Sequence, residues 1–229
     1  MSEDARTALK REAAEAAAAL VADGMVVGLG TGSTAALAIA ALARRVGEGL
    51  RIVAIPTSER SAAQAREGGI ALTDFAAHPA IDLTIDGADE VARVTLDLVK
   101  GLGGALLREK IVAAASARLV IVVDGAKLVD RLGSTTAVPV EVVPFGWEAT
   151  ARHVRALDGV PARRMAGTDP FRTDGGNFIL DCQFGPVADP AALDRKLQSI
   201  VGVIETGFFI GRTAEVFVAD ADGVHRIAR

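Results

Sequence analysis

Apolar and polar positions alternate in blocks along the first half of the chain. Residues 25–29 (MVVGL), 51–55 (RIVAI), 81–85 (IDLTI) and 118–123 (RLVIVV) read as short strands. Helical segments lie between them. An alanine-rich stretch over 3–21 predicts a first helix, and a second opens near Ser33. A third covers 59–67, capped by Ser58 and ended by Gly68-Gly69 ahead of a short strand. A β-rich run over 94–99 ends at Lys100, and a further helix begins near Ala105. Such strand, loop and helix alternation predicts an α/β fold, a mostly parallel sheet with helices on both faces.

After Arg131 the rhythm changes. Strands are expected over 138–143, 161–165, 177–183 and 201–205, with helices over 147–157 and 190–200, and Asp174-Gly175-Gly176 is a strong turn signal among them. This β-α-β-β-α-β order predicts a smaller α+β domain of the split-βαβ, ferredoxin-like kind. Residues 214–219 and 224–227, joined through Asp222-Gly223, return to the main domain. The expected division is therefore 1–130 with 206–229 as a Rossmann-like catalytic domain, and 131–205 as the smaller one.

Composition narrows the function classes. Half of the 229 residues are apolar, 24% are charged and the net charge is -4, so the basic excess that nucleic-acid backbones require is missing. The start of the chain carries Glu3, Asp4, Arg6, Lys10 and Arg11 and does not read as a signal peptide, and no apolar run is long enough to span a bilayer. A cytoplasmic protein with no membrane partner is the expectation. The single cysteine, Cys182, has no CxxC neighbourhood and reads as a small buried strand residue. His78, His153 and His225 lie in unrelated contexts and make no metal-ligand spacing.

The candidate chemistry concentrates in residues 82–110. The strand over 81–85 stops at Asp86-Gly87-Ala88-Asp89, which puts carboxylates at a strand's C-terminal end, the edge where open α/β sheets bind ligands. Lys100 is followed by Gly101, Leu102, Gly103 and Gly104, a loop whose backbone can approach a ligand closely, and Glu109 lies early in the next helix. A second candidate is the loop carrying Gly28, Gly30, Thr31, Gly32, Ser33 and Thr34. Backbone amides at a helix start, with three hydroxyls beside them, suit a phosphate. The dinucleotide fingerprint needs a glycine where Ser33 stands and an acidic residue where Pro56-Thr57-Ser58 follows the next strand, and the Walker pattern lacks its lysine. A purely structural turn is the competing reading of this loop. Lys10, on the first helix, and Lys127, after Asp124-Gly125-Ala126, read equally as solvated charges.

Gly30-Thr31-Gly32-Ser33-Thr34, Asp86-Gly87-Ala88-Asp89-Glu90, Lys100-Gly101-Leu102-Gly103-Gly104 and Leu107-Arg108-Glu109-Lys110, taken in this order, resemble type A ribose-5-phosphate isomerase. The likeness extends to Pro139-Val140-Glu141-Val142 and to residues 173–181 (TDGGNFILD). Leu102, where the family often has glycine, and Gly175, where it commonly has asparagine, depart from the pattern. The resemblance implies interconversion of D-ribose 5-phosphate and D-ribulose 5-phosphate through an enediol, in the non-oxidative branch of the pentose phosphate pathway, with no metal or organic cofactor. It implies a small sugar phosphate as partner and a homo-oligomer, a dimer by default and a tetramer as the alternative.

By the same resemblance Glu109 is the proton carrier, Lys100 and the glycine-loop amides steady the enediolate, and Asp86 and Asp89 hold sugar hydroxyls, with Asp86 assisting ring opening. A partly desolvated glutamate has its pKa raised toward the working pH, which suits a base. Thr31, Gly32, Ser33 and Thr34 would take the phosphate. Gly87, Ala88, Gly101, Leu102 and Gly103 would line the sugar, and Lys10 and Lys127 match positions that contact substrate. Two other classes compete. A sugar-phosphate sensor would need no base at Glu109 but would carry a DNA-binding module, for which the residues before Met25 are too few. A dehydrogenase would need the dinucleotide signature.

Overall fold

The structure, a computed structural model, describes residues 3–229, with side chains from Thr7 onward. The charged start expected at Glu3, Asp4 and Arg6 lies outside the described side chains. In chain order the first elements are α1 (Glu3–Ala18), β1 (Val26–Leu29), α2 (Ser33–Gly47), β2 (Val53–Pro56), α3 (Glu59–Glu67), β3 (Ala71–Leu72) and β4 (Ile81–Asp86). Next come β5 (Glu90–Ala92), β6 (Leu98–Val99), α4 (Leu106–Ala114), β7 (Ser116–Asp124), a 3-10 turn at Gly125–Lys127, β8 (Leu128–Val129) and β9 (Val138–Val142). The remainder is α5 (Trp147–Arg155), β10 (Val160–Arg163), β11 (Met165–Ala166), β12 (Asp169–Pro170), β13 (Phe178–Gln183), α6 (Pro190–Gln198), β14 (Val203–Thr206), β15 (Phe208–Phe209), β16 (Thr213–Asp220) and β17 (Gly223–Ala228).

Two compact units result. The first comprises the chain up to Ala88, Arg108–Lys127 and Arg212–Arg229, and the second Asp89–Leu107 and Leu128–Gly211. The sequence reading set one boundary near residue 131 and kept 89–107 in the first unit. The contacts divide the chain differently because β5 and β6 pair with β8 and β15 and not with the large sheet.

In the first unit the order β17-β16-β7-β4-β1-β2-β3 makes a seven-stranded sheet, parallel except for the terminal β16–β17 hairpin. Val27, Leu29, Leu83, Ile85, Val120 and Val122 join one core with Ala13, Ala17, Ala38, Ile39 and Leu42, so α1 and α2 cover one face. Alanine on the facing sides lets those two helices approach closely. Arg44 reaches Glu15 at 2.5 Å and Arg45 donates to the Ala18 carbonyl at 2.5 Å, fastening α2 to the end of α1. Val112 of α4 packs with Ile55, Ile81 and Val26 in a separate cluster. The expected parallel α/β sheet is present. Ser58 caps α3 by accepting the Ser61 amide, as its position before a helical run predicted.

The second unit holds an antiparallel sheet, β10-β13-β9-β14. Its core joins Val138, Val140, Val142, Leu180 and Cys182 with Ala151 and Val154 of α5 and Leu197 of α6. Asp189 caps α6 through the Ala192 amide at 2.9 Å, with Pro190 following as a helix starter. The split-βαβ order is as expected, with the short β11–β12 hairpin inserted. Burial pushes the Cys182 thiol well above its ordinary pKa, with the nearby Asp181 charge adding to the rise. Among the described residues no helix is long and apolar enough to cross a membrane.

One expected strand is corrected. Residues 94–99 do not run as a single strand: β5 and β6 form a tight hairpin instead. The Leu96 amide donates to the Ala92 carbonyl and the Ala92 amide to the Asp97 carbonyl, which turns the chain. Leu96 adopts a φ of 55° while its side chain is buried, and Val94 is left 91% exposed. Packing of Leu96 and Leu98 outweighed the β propensity of Val94 and Thr95.

Candidate active site

The first unit brings together the carboxyl ends of β1, β2, β4 and β7. Register fixes this: Leu29 pairs with both Pro56 and Ile85, and Asp86 with Ile121, so the residues after each strand emerge on one edge. Asp86 is 1% exposed, and its Oδ1 accepts the Thr31 amide at 3.1 Å and the Gly87 amide at 2.7 Å. Gly30 is glycine because a methyl there would sit 2.1 Å from Asp86 Oδ1 and 2.6 Å from Asp86 Cα. Gly32 takes a φ of 124° as it opens α2, a backbone state that other residues adopt at a cost. Ser33 is exposed and Thr34 half-buried at that helix start, where the first amides have no partner within the helix. Thr34 also comes near Gly87, its Cβ 4.0 Å from where a methyl at Gly87 would stand.

Thr31 behaves differently from Ser33 and Thr34. Its side chain is buried, with Oγ1 at 2.7 Å from Thr57 Oγ1, 2.8 Å from Ser58 Oγ and 3.1 Å from Ser61 Oγ. Ser61 Oγ donates to the Gly30 carbonyl at 2.6 Å, and Thr57 Oγ1 to the Leu29 carbonyl at 3.0 Å. The loop is thus tied from beneath by a web of hydroxyls. The sequence reading took Ser58 as a helix cap alone and gave Thr57 and Ser61 no role. A cluster of hydroxyl residues, Pro56-Thr57-Ser58-Glu59-Arg60-Ser61, standing where a dinucleotide fold would place an acid was the signal available.

Lys10 and Lys127 belong to the same edge. Lys10 Nζ lies 3.0 Å from Asp124 Oδ2 at the end of β7, and Lys127 closes the 3-10 turn that follows. Lys10 is therefore not a freely solvated charge. Glu109 lies in the first turn of α4 and is 3% exposed, and the preceding Arg108 pairs with Glu59 at 2.9 Å.

The second unit holds the lysine loop. Lys100 is 2% exposed, its amide donates to the Gly207 carbonyl at 2.9 Å, and its ammonium stands 5.5 Å from the centre of the Phe209 ring. Asp89 donates its amide to the Val99 carbonyl and accepts the Leu102 amide on Oδ2 at 2.9 Å. Leu102 itself is exposed. Glu90, which carried no assignment from the sequence, is completely buried and accepts from Gly133 N, Thr135 N, Thr135 Oγ1 and Thr136 N at 2.5–3.0 Å. It anchors β5 directly behind Asp89. Glu141 in turn accepts Thr173 Oγ1 at 2.8 Å and Asn177 Nδ2 at 2.9 Å, which fastens the 173–177 turn to β9.

Asp86, Gly87, Thr31 and Thr34 are brought together in one unit, and Asp89 and Lys100 to Leu102 in the other. Chemically, the first set offers a carboxylate and a helix start suited to an anion, and the second a buried lysine together with a carboxylate that holds the backbone of the lysine's own loop. Among the described residues no group of three or more His, Cys, Asp and Glu side chains is arranged to hold a metal ion.

The family described as ribose 5-phosphate isomerase A (phosphoriboisomerase A) matches residues 53–223. Ribose-5-phosphate isomerase A of Gloeobacter violaceus is 58% identical over 216 residues, 94% of each chain. Among solved structures, ribose 5-phosphate isomerase A of Methanocaldococcus jannaschii superposes with a TM-score of 0.93 at 38% identity, over 97% of this chain and 99% of that one. A D-ribose-5-phosphate isomerase in complex with phospho-erythronic acid gives 0.94 at 38% identity, over 97% and 98% of the two chains. With likeness at this level along nearly its whole length, the chain belongs to the ribose 5-phosphate isomerase A family.

Proposed function

We infer that this protein interconverts D-ribose 5-phosphate and D-ribulose 5-phosphate. The observation that carries the reading is its membership of the family over nearly all of its length, together with a buried acid, a buried lysine and a glycine-rich helix start at the motif positions. In the open-chain aldose, the Glu109 carboxylate takes the proton from C2. The electron pair forms a C1–C2 double bond and the C1 oxygen becomes an enediolate, which Lys100 steadies by charge. The C2 hydroxyl then passes its proton to the C1 oxygen, and Glu109 returns its own proton to C1 as the C2–O bond becomes the ketone, leaving the carboxylate as it began. One carboxylate suffices because the two carbons are adjacent.

A positioned base of this kind contributes roughly 100- to 10,000-fold in rate, and the remainder must come from preorganised charge and hydrogen bonds around the enediolate. Asp86 and Asp89 hold sugar hydroxyls, with Asp86 assisting ring opening. Gly87, Ala88, Gly101, Leu102 and Gly103 line the sugar. The Gly32 to Thr34 amides and hydroxyls take the phosphate, joined by Lys10 and Lys127. Thr31 contributes through its place in the hydroxyl web that supports them. The phospho-erythronic acid complex of a family relative supports an acidic sugar-phosphate skeleton as the ligand type. A homo-oligomer, dimer before tetramer, and a cytoplasmic setting complete the reading.

The test is Glu109→Gln in purified protein. Turnover of ribose 5-phosphate should fall by about 100-fold or more while binding is largely kept. Wild-type turnover in that variant removes Glu109 from the role. Arabinose 5-phosphate, run alongside, should not be converted, and activity should survive a chelator.

A further inference from the structure

The conformation of the lysine loop, residues 100–104, is held by a group that none of the roles above employs. Arg164 Nη1 donates to two consecutive carbonyls of that loop, Gly101 at 2.9 Å and Leu102 at 3.1 Å. The amide of Leu102 belongs to the same peptide group as the Gly101 carbonyl, and it donates to Asp89 Oδ2 at 2.9 Å. A single peptide is therefore gripped at its oxygen by a guanidinium and at its hydrogen by a carboxylate, each a charge-assisted bond stronger than one between neutral groups.

The far edge of the guanidinium is fixed as well. Arg164 Nε donates to Asp181 Oδ2 at 2.9 Å and Nη2 to Asp181 Oδ1, a two-pronged pairing that sets the plane of the group. The Arg164 amide bonds the Ile179 carbonyl and its own carbonyl accepts the Phe171 amide, which anchors the backbone at both sides. The Phe171 ring lies 5.8 Å from the guanidinium carbon and abuts Gly104, where a methyl would come within 2.4 Å of Cζ. Arginine alone among side chains can fork onto a carboxylate with one edge and reach two carbonyls with the other.

We propose that Arg164, aligned by Asp181, is a positioning residue for the isomerisation: it sets the loop that begins at Lys100 and so fixes where that ammonium stands when the enediolate forms. The inference rests on the role given to Lys100 above. A displacement of about 1 Å in such a group costs on the order of 100-fold in rate, so the loop needs a rigid anchor of this kind.

The experiment measures steady-state turnover of ribose 5-phosphate by the full chain carrying Arg164→Met, Arg164→Lys, Asp181→Asn or both Arg164→Met and Asp181→Asn. Arg163→Met serves as control, because Arg163 stacks on Trp147 of α5 and Phe178 of β13 and touches no loop carbonyl in its described contacts. For Arg164→Met we expect kcat to fall about 10- to 100-fold with KM nearly unchanged, the signature of a contact that matters in the transition state. Arg164→Lys should regain part of the loss and Asp181→Asn should lie between. The double variant should be no worse than Arg164→Met alone, because the two residues act as one device. Amide exchange at Leu102 should accelerate in Arg164→Met while residues 178–183 stay protected. The control should shift Tm without changing kcat.

Wild-type kcat in a folded Arg164→Met, or a loss of kcat that follows Tm equally in Arg163→Met, overturns the proposal. Lys100→Met separates the two readings. If it is inactive and Arg164→Met is unimpaired, the positioning role falls and the Lys100 role stands. If Lys100→Met turns over normally, the Lys100 role fails and the proposal falls with it.

Discussion

The loop after β1 and the loop after β6 are both rich in glycine, and they are held by opposite means. Neutral groups fasten the first: Thr31, Thr57, Ser58 and Ser61 share short hydroxyl contacts beneath it, and one carboxylate, Asp86, receives its backbone. Formal charges fasten the second, Arg164 on the carbonyls and Asp89 on an amide. On the proposed reading this loop receives a phosphate, and hydroxyl support leaves only one carboxylate close by, Asp86, whose Oδ1 is occupied by the Thr31 and Gly87 amides. A loop presenting an ammonium gains from support that keeps its carbonyls facing a cation of their own, leaving the lysine charge to the substrate.

The contrast breaks most severely at Gly30. Gly30→Ala would drive a methyl into the backbone of Asp86, an obstacle that cannot rotate away, and should cost about 3 kcal/mol or more in a denaturant titration. Thr31→Val should follow. It keeps the shape but strands the buried hydroxyls around it, at about 1–3 kcal/mol, and it should weaken inorganic phosphate as a competitive inhibitor more than it weakens turnover at saturation. Gly104→Ala should be milder, about 1–2 kcal/mol, because the obstacle is the tip of the Phe171 ring and the rest of the penalty is a φ of 83°.

The smallest effect belongs to a surface pair in the same unit as the hydroxyl web. Asp23 accepts the Arg51 amide, and that bond, with the Arg51 guanidinium adding to it, holds the carboxyl below its ordinary pKa of 3.8. A carboxyl depressed by folding stabilises the protein above its unfolded pKa and loses that contribution as pH falls through the lowered value. Asp23→Asn should therefore leave stability flat between pH 7 and 5 relative to wild type and flatten its decline only in the acid limb. A difference from wild type that changes with pH between 7 and 5 would contradict the assignment.

Much of the large sheet was readable in the sequence because its physics is local and repetitive. Four apolar runs with turn residues after each, a serine three residues ahead of the amide it caps, and Asp86 at a strand tip all obey short-range rules. The sheet β15-β6-β5-β8 was not readable. Its strands are two or three residues long and join positions as distant as Leu98 and Phe209, so no period betrays them. Thr31 was recognisable as part of a candidate anion loop, but a sequence does not tell which way a hydroxyl turns; three partners, Thr57 and Ser58 just after β2 and Ser61 in α3, decide it. Arg164 lies in the strand expected over 161–165 and carries no assignment from the sequence, because only the pairing of β10 with β13 brings Asp181 beside it. Glu90 shows the same failure, since its donors lie more than forty residues away in the chain.

The buried thiol of Cys182 has a practical consequence. With its sulfur buried in the core of the second unit and its proton held tightly, the native protein should present a silent background to maleimide dyes. A single cysteine introduced at the exposed tip of Leu102 would then carry the only dye, and its emission would report on the surroundings of that loop during turnover in real time.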